Sequence, residues 1–171
     1  MKVVCAWCHK TLQEPLPGDL RVSHGICQDC IHRVLGARAK ELGEFLRTLE
    51  IPVLVLDREN KVVELNESAG RILGTSLPEV KGALVGPAIS CYNAGLPGGC
   101  GHSDRCPGCQ LRHNLMATHA DAQPRFSQIT QHEIVRDGER RTVQFRFSTQ
   151  KTGDVVLLLL EEVTDAATAG E

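Results

Sequence analysis

Aromatic residues are scarce, with one Trp, one Tyr and four Phe making up 4% of the 171-residue chain. A surface of stacking platforms for single-stranded nucleic acid is therefore not expected. Long apolar runs are missing too: Val155–Leu160 is far too short to cross a bilayer. Neither sign of charge dominates, since 19 Lys and Arg against 21 Asp and Glu leave a net charge of −2. That balance argues against a nucleic-acid binder or an anionic-lipid binder held by a basic patch. Residues 1–50 are nearly neutral as well, with seven Lys and Arg against six Asp and Glu. The opening Met1-Lys2-Val3-Val4-Cys5 has no apolar core of a secretory signal, so a cytoplasmic protein is the expectation. Hydrophobic residues at 42% and charged residues at 23% are a globular composition.

Cysteine is what the chain has in quantity. Eight cysteines in a reducing compartment point to metal ligation or thiol redox chemistry rather than a disulfide framework. They divide into two groups of four, Cys5/Cys8/Cys27/Cys30 and Cys91/Cys100/Cys106/Cys109. The first group is two C-x2-C pairs separated by 18 residues. Each C-x2-C turn presents two thiolates to one side of an ion, and two turns complete a tetrahedron, so zinc is expected there. Cys5-Ala6-Trp7-Cys8-His9 also matches the c-type haem attachment pattern, but that chemistry requires export and leaves Cys27 and Cys30 unexplained.

Residues 1–30 are turn-rich and too few to bury a core, so they read as a zinc-ribbon-like module. Residues 31–50 read as an amphipathic helix, with Leu35, Ala39, Leu42, Leu46 and Leu49 on one stripe and Pro52 as its stop. Packing of that stripe on the following domain is favoured over a coiled-coil seam, which would last barely two heptads. From Ile51 the pattern becomes a hairpin, Ile51–Asp57 and Lys61–Leu65, followed by a helix from Glu67 to Leu73 between Asn66 as cap and Gly74 as stop. Ser76 and Glu79 form a capping box. A Gly- and Cys-rich stretch, 82–108, is too long for a plain connection. Pro107 is expected to open a helix lasting to His119. Three strands close the chain, at Phe126–Arg136, Thr142–Ser148 and Val155–Val163, with Asp137-Gly138 as a hairpin turn. The run Val155–Leu160 predicts a central strand covered on both faces, one of the covers being the 31–50 helix. The fold class is α+β, a five-stranded antiparallel sheet with helices on one face.

This order, with Val53-Leu54-Val55-Leu56-Asp57, Lys61-Val62-Val63-Glu64-Leu65-Asn66, Arg71-Ile72-Leu73-Gly74 and the closing Val156–Leu160 through Val163-Thr164-Asp165, resembles a PAS sensory domain over about residues 51–165. The insert around Cys91–Cys109 resembles a cysteine-bearing variant of PAS domains in bacterial signalling proteins. Cys5–Cys8 with Ser23–Cys30 resembles a short cysteine module that accompanies bacterial sensors. The resemblance implies sensing and relay rather than catalysis, so no enzyme is expected. It also implies that the segment before the long helix, and the helix itself, line a ligand pocket. Residues 166–171 form a tail, and no fused output domain is expected after Asp165.

The second cysteine group has the spacing C-x8-C-x5-C-x2-C, and glycines 95, 98, 99 and 101 let the backbone wrap tightly around it. Cys106 and Cys109 are expected at a helix start, where the dipole favours thiolate. An iron–sulfur cluster, a zinc ion and a thiol/disulfide switch all fit these residues. Ser90-Cys91-Tyr92-Asn93 does not match the flavin-adduct motif of light-sensing relatives. Haem would need an axial ligand from His113, His119 or His132, and lone histidines are more often structural. The expected function is a redox, oxygen or metal sensor that signals through protein contact. The expected partners are a second copy, through the 31–50 helix and the PAS sheet, and a downstream protein such as a kinase or regulator. Neither a membrane nor a nucleic acid is an expected partner. The alternatives are a zinc-finger nucleic-acid regulator and a thiol–disulfide oxidoreductase attacking with Cys106 and resolving with Cys109.

Overall fold

The computed structural model describes residues 1–35 and 39–165. The expected tail, 166–171, lies outside the described residues, as does the middle of the expected 31–50 helix. Strands β1 (Lys2–Cys5), β2 (Thr11–Gln13) and β3 (Val22–Gly25) form a small sheet in the order β2-β1-β3. Helices α1 (Gln28–Leu35) and α2 (Ala39–Arg47) follow. The main domain runs β4 (Val53–Leu56), β5 (Val62–Leu65), α3 (Glu67–Leu73), α4 (Leu77–Val80), α5 (Val85–Ala88), α6 (Gln110–Asp121), β6 (Arg125–Arg136), β7 (Glu139–Thr152) and β8 (Val155–Asp165). Its five strands pair antiparallel in the order β5-β4-β8-β7-β6. The last strand thus lies at the centre, paired on one side with β4 of the first hairpin and on the other with β7.

Alternation along β4 and β8 builds two cores from one pair of strands. Leu54, Leu56, Val156, Leu158 and Leu160 face α3–α6, together with Leu73, Leu115 and Phe147. Val53, Val55, Leu157 and Leu159 face the other way, onto Cys5, Ile26, Ile31, Phe45, Leu46 and Leu49. The central strand is therefore covered on both faces, and α2 supplies part of the second cover. Leu46 and Leu49 are buried in the chain's own core, so they form no exposed seam for a second copy. Trp7, from the first cysteine turn, meets the Phe45 ring edge-on at 4.4 Å. The small module thus has no core of its own and shares one with the sheet.

Local signals were strong around α3. The Asn66 side-chain oxygen accepts from Ala69 N at 2.9 Å, and Gly74 ends the helix at φ 66°. The same oxygen accepts from Val53 N at 3.0 Å, and the amide nitrogen donates to the carbonyls of Leu46, Leu49 and Ile51. One buried side chain therefore ties the exit of α2, the entry of β4 and the start of α3 together. Ser76 donates to Glu79 from its backbone N at 2.7 Å and its hydroxyl at 2.8 Å, closing the box that starts α4.

Two local expectations are corrected. The first 30 residues hold three strands, each three or four residues long, where the turn-rich sequence showed no period. Pro107 sits in a 3₁₀ turn, Cys106–Gly108, and α6 begins three residues later at Gln110.

Candidate cysteine centres

The four N-terminal cysteines come together. Their sulfurs all lie within 4.8 Å of one another, with Cys5 to Cys30 at 3.8 Å and Cys8 to Cys27 at 3.7 Å. Zinc–sulfur bonds of ~2.3 Å in a tetrahedron require sulfur–sulfur edges of ~3.8 Å. The chain therefore presents the outline of a single four-thiolate ion site. Cys5 ends β1, Cys8 closes the turn after it, and the Cys27 carbonyl accepts from Ile31 N at 2.9 Å where α1 begins. Cys30 lies inside the first turn of α1, so the second pair rides on a helix start rather than on a second ribbon turn. Burial opposes ionisation of Cys5, but N–H groups of Cys27, Cys8 and Trp7 outweigh it and hold the thiol down to about 7. Burial and the three neighbouring sulfurs push Cys30 up, a cost that a bound cation removes.

The module is fastened to the sheet by polar groups as well as by the shared core. Glu161 on β8, with its side chain 1% exposed, accepts from Ser148 Oγ at 2.6 Å, from the His24 backbone N at 3.0 Å and from the Ser23 hydroxyl. Arg146 faces its other oxygen at 3.5 Å and donates to the Val22 carbonyl at 3.2 Å. Gln150 accepts from Ile26 N at 2.8 Å and donates to Ile26 O at 2.7 Å, mimicking one rung of a strand pair. None of these partners is local in sequence, and reading motifs did not find them.

The second group is arranged differently. Cys91, Cys100, Cys106 and Cys109 all line one cavity of about 420 Å³, bounded by the 82–108 stretch, the start of α6 and β6. Among the described residues, only the first group brings three or more ligand atoms within 4.8 Å of one another. Each cysteine of the second group nevertheless has a fixed seat. Cys91 is bridged to Ile134 of β6, and the Ser90 carbonyl accepts from Val135 N at 2.9 Å. Cys100 lies over Gly86 so closely that a Cβ there would stand 2.5 Å from its sulfur. Cys106 accepts from Gly101 N at 3.2 Å and lies 3.1 Å from the Ser103 hydroxyl. Cys109 caps α6, accepting from Arg112 N at 3.4 Å.

Burial pushes the thiols of Cys91, Cys100 and Cys109 up. Burial acts against Cys106 as well, but the Ser103 hydroxyl, the N–H groups of Gly101 and Ser103, and nearby Arg112 outweigh it and bring that thiol below its ordinary value. The expected helix-dipole activation of Cys106 is thus replaced by local donors, because Cys109 holds the cap. Of the three candidate histidines, His132 lines this cavity, its Nδ1 3.9 Å from Cys91 and its Nε2 3.3 Å from Thr130 Oγ1. Burial lowers the His132 pKa. His113 is exposed, and His119 lines a separate cleft beside Lys151. Gly86, Ser103 and His132 belong to this site without any spacing signal that marks them.

No protein-family model matches the chain, and no curated protein matches it. Solved structures similar to it include the PAS domain of Bordetella pertussis BvgS, at 15% identity and TM-score 0.46, covering 75% of this chain and 88% of that one. A domain of a sensory box sensor histidine kinase/response regulator from Geobacter sulfurreducens is 12% identical, TM-score 0.47, with coverage of 75% and 96%. The Cronobacter turicensis RpfR quorum-sensing receptor PAS domain, in complex with BDSF, is 17% identical, TM-score 0.42, with coverage of 68% and 94%. At these identities the likeness concerns the fold alone. Among the described residues, no helix is long and apolar enough to cross a membrane.

Proposed function

We propose that the protein is a cytoplasmic sensory module, in which the cavity of a PAS-like domain reads redox, oxygen or metal state through Cys91, Cys100, Cys106 and Cys109. The observation that carries this reading is the convergence of all four on a single cavity. The backbone of Cys91 bridges to Ile134 of β6 and Cys109 caps α6, so a change in what the four sulfurs hold pulls a helix and a strand relative to each other. The N-terminal four-cysteine site holds zinc as a structural ion and keeps the module seated on the sheet.

The protein relays its state by contact rather than by catalysis. Attack on a substrate disulfide requires an accessible thiolate, and Cys106 is 7% exposed. The contact is made with a second copy of the chain, and a downstream kinase or regulator reads the assembly. The face of α2 carrying Phe45 and Leu46 is closed to that contact, being buried with Leu49 against the chain's own sheet.

Sedimentation velocity on the chain kept free of oxygen, on the air-exposed chain and on Cys100→Ser tests the proposal. A mass distribution that changes with the state of the second site supports it. One unchanging monomer under all three conditions overturns relay through a second copy.

A further inference from the structure

The two cysteine groups differ in how closely they gather their sulfurs, and that difference bears on what the second would hold. Four thiolates that share one ion must crowd to the edge length of a small tetrahedron, as the first group does. In a cubane iron–sulfur cluster each thiolate binds its own iron, so the four sulfurs stand further apart around a larger body. The second group surrounds a cavity of about 420 Å³ without gathering three ligand atoms inside single-ion range.

We infer that Cys91, Cys100, Cys106 and Cys109 hold a [4Fe–4S] cluster in this cavity, one thiolate to each iron. The inference deepens the sensory reading of the same site and rests on it. Three further observations fit a cluster seat. The Cys106 and Cys109 sulfurs accept backbone N–H bonds from Gly101 and Arg112, the donors that stabilise cluster sulfur ligands. Gly86 leaves the floor under Cys100 bare, where a methyl group would collide with that sulfur at 2.5 Å. Gly98, at φ 89°, turns the backbone where a Cβ would stand 2.7 Å from the His102 carbonyl oxygen. These features shape the loop around a body rather than around a point.

The test uses the full chain, purified without oxygen and incubated with ferrous and ferric iron in equal amounts and with sulfide. Iron, acid-labile sulfide and zinc are then counted per chain alongside the absorption spectrum. The expected result is about four irons, four sulfides and one zinc, with a broad band near ~400 nm. Cys100→Ser and Gly86→Ala should lose at least half of the iron while keeping the single zinc and the native circular dichroism, which together show that the rest of the chain is folded. A second zinc with no iron, two irons per chain, or iron without sulfide overturns the assignment. If zinc or free thiols fill the site and association still follows its state, the cluster is excluded and the sensory reading stands. If four irons load and association never changes, the cluster stands and the sensory reading fails.

Discussion

The hydroxyls of Ser23 and Ser148 lie 3.0 Å apart, although 125 residues separate them, and both reach the Glu161 carboxylate. Ser23 belongs to the small cysteine module and Ser148 to the central sheet. Their meeting point is buried, so the module is built into the main domain rather than tethered to it. The sheet face that the module covers is the one bearing Val53, Val55, Leu157 and Leu159.

Removing the shared acceptor should loosen this joint. Glu161→Ala leaves two buried hydroxyls and the His24 N–H without their acceptor, and Arg146 without its buried anion. A loss of about 3 kcal/mol is expected, read as a lower denaturation midpoint. Glu161→Gln keeps one acceptor oxygen and should lose less. Equal stability of Glu161→Ala and the native chain would mean that the apolar contacts alone hold the module.

Asn66 offers a sharper test of a single side chain. Asn66→Asp keeps the oxygen that receives Val53 N and Ala69 N but sets a second oxygen against the carbonyls of Leu46, Leu49 and Ile51. The variant should be destabilised by about 3 kcal/mol near neutral pH, despite preserving the helix cap. If only the cap mattered, Asn66→Asp would melt with the native protein.

The first metal site should control the module alone. Cys27→Ser removes one corner of the tetrahedron, so zinc should fall by one ion per chain and protease cuts should appear within residues 1–30. The second site should keep its occupant, because its ligands come from other elements. Retention of the zinc by this variant would contradict the four-thiolate assignment.

His24 gives a dependence on pH. Burial lowers its pKa, Glu161 opposes that shift, and Arg146 and His9 add to it. The folded chain therefore takes up this proton less readily than the unfolded chain, whose His titrates near ~6.5. Stability from this group is complete above that value and is lost as the pH falls below it, towards the folded pKa. Melting temperatures measured from about pH 7.5 to about pH 5.5 should drop less for His24→Gln than for the native chain. Equal slopes would show that other groups carry the acid sensitivity.

The parts legible in the sequence were those whose signals are local. Asn66, Gly74, Ser76 and Glu79 mark the ends of α3 and α4 because caps depend on residues within one turn. The run Val155–Leu160 disclosed a strand buried on both faces, since a half-exposed strand would have alternated with polar residues. The strands β1–β3 stayed hidden because three or four residues cannot show a period, and their stability comes from pairing and from the shared core. The cysteine spacing grouped the ligands but not their separation in space. Gly86 under Cys100 and His132 beside Cys91 are brought in by chain folding over 14 and 41 residues, beyond the reach of any motif.

Hydrogen exchange tests most directly whether the second cysteine site drives the domain. It should be followed by mass spectrometry on the full chain with that site loaded and emptied. The account predicts altered protection along α6 and β6, reaching Thr118 at the far end of α6, whose hydroxyl lies 2.7 Å from that of Thr149 on β7. Residues 1–30 should keep their protection, held by their own ion and by Glu161. A change confined to residues 86–109, with α6 and β6 unaltered, would contradict the account and reduce the second site to a brace for its loop.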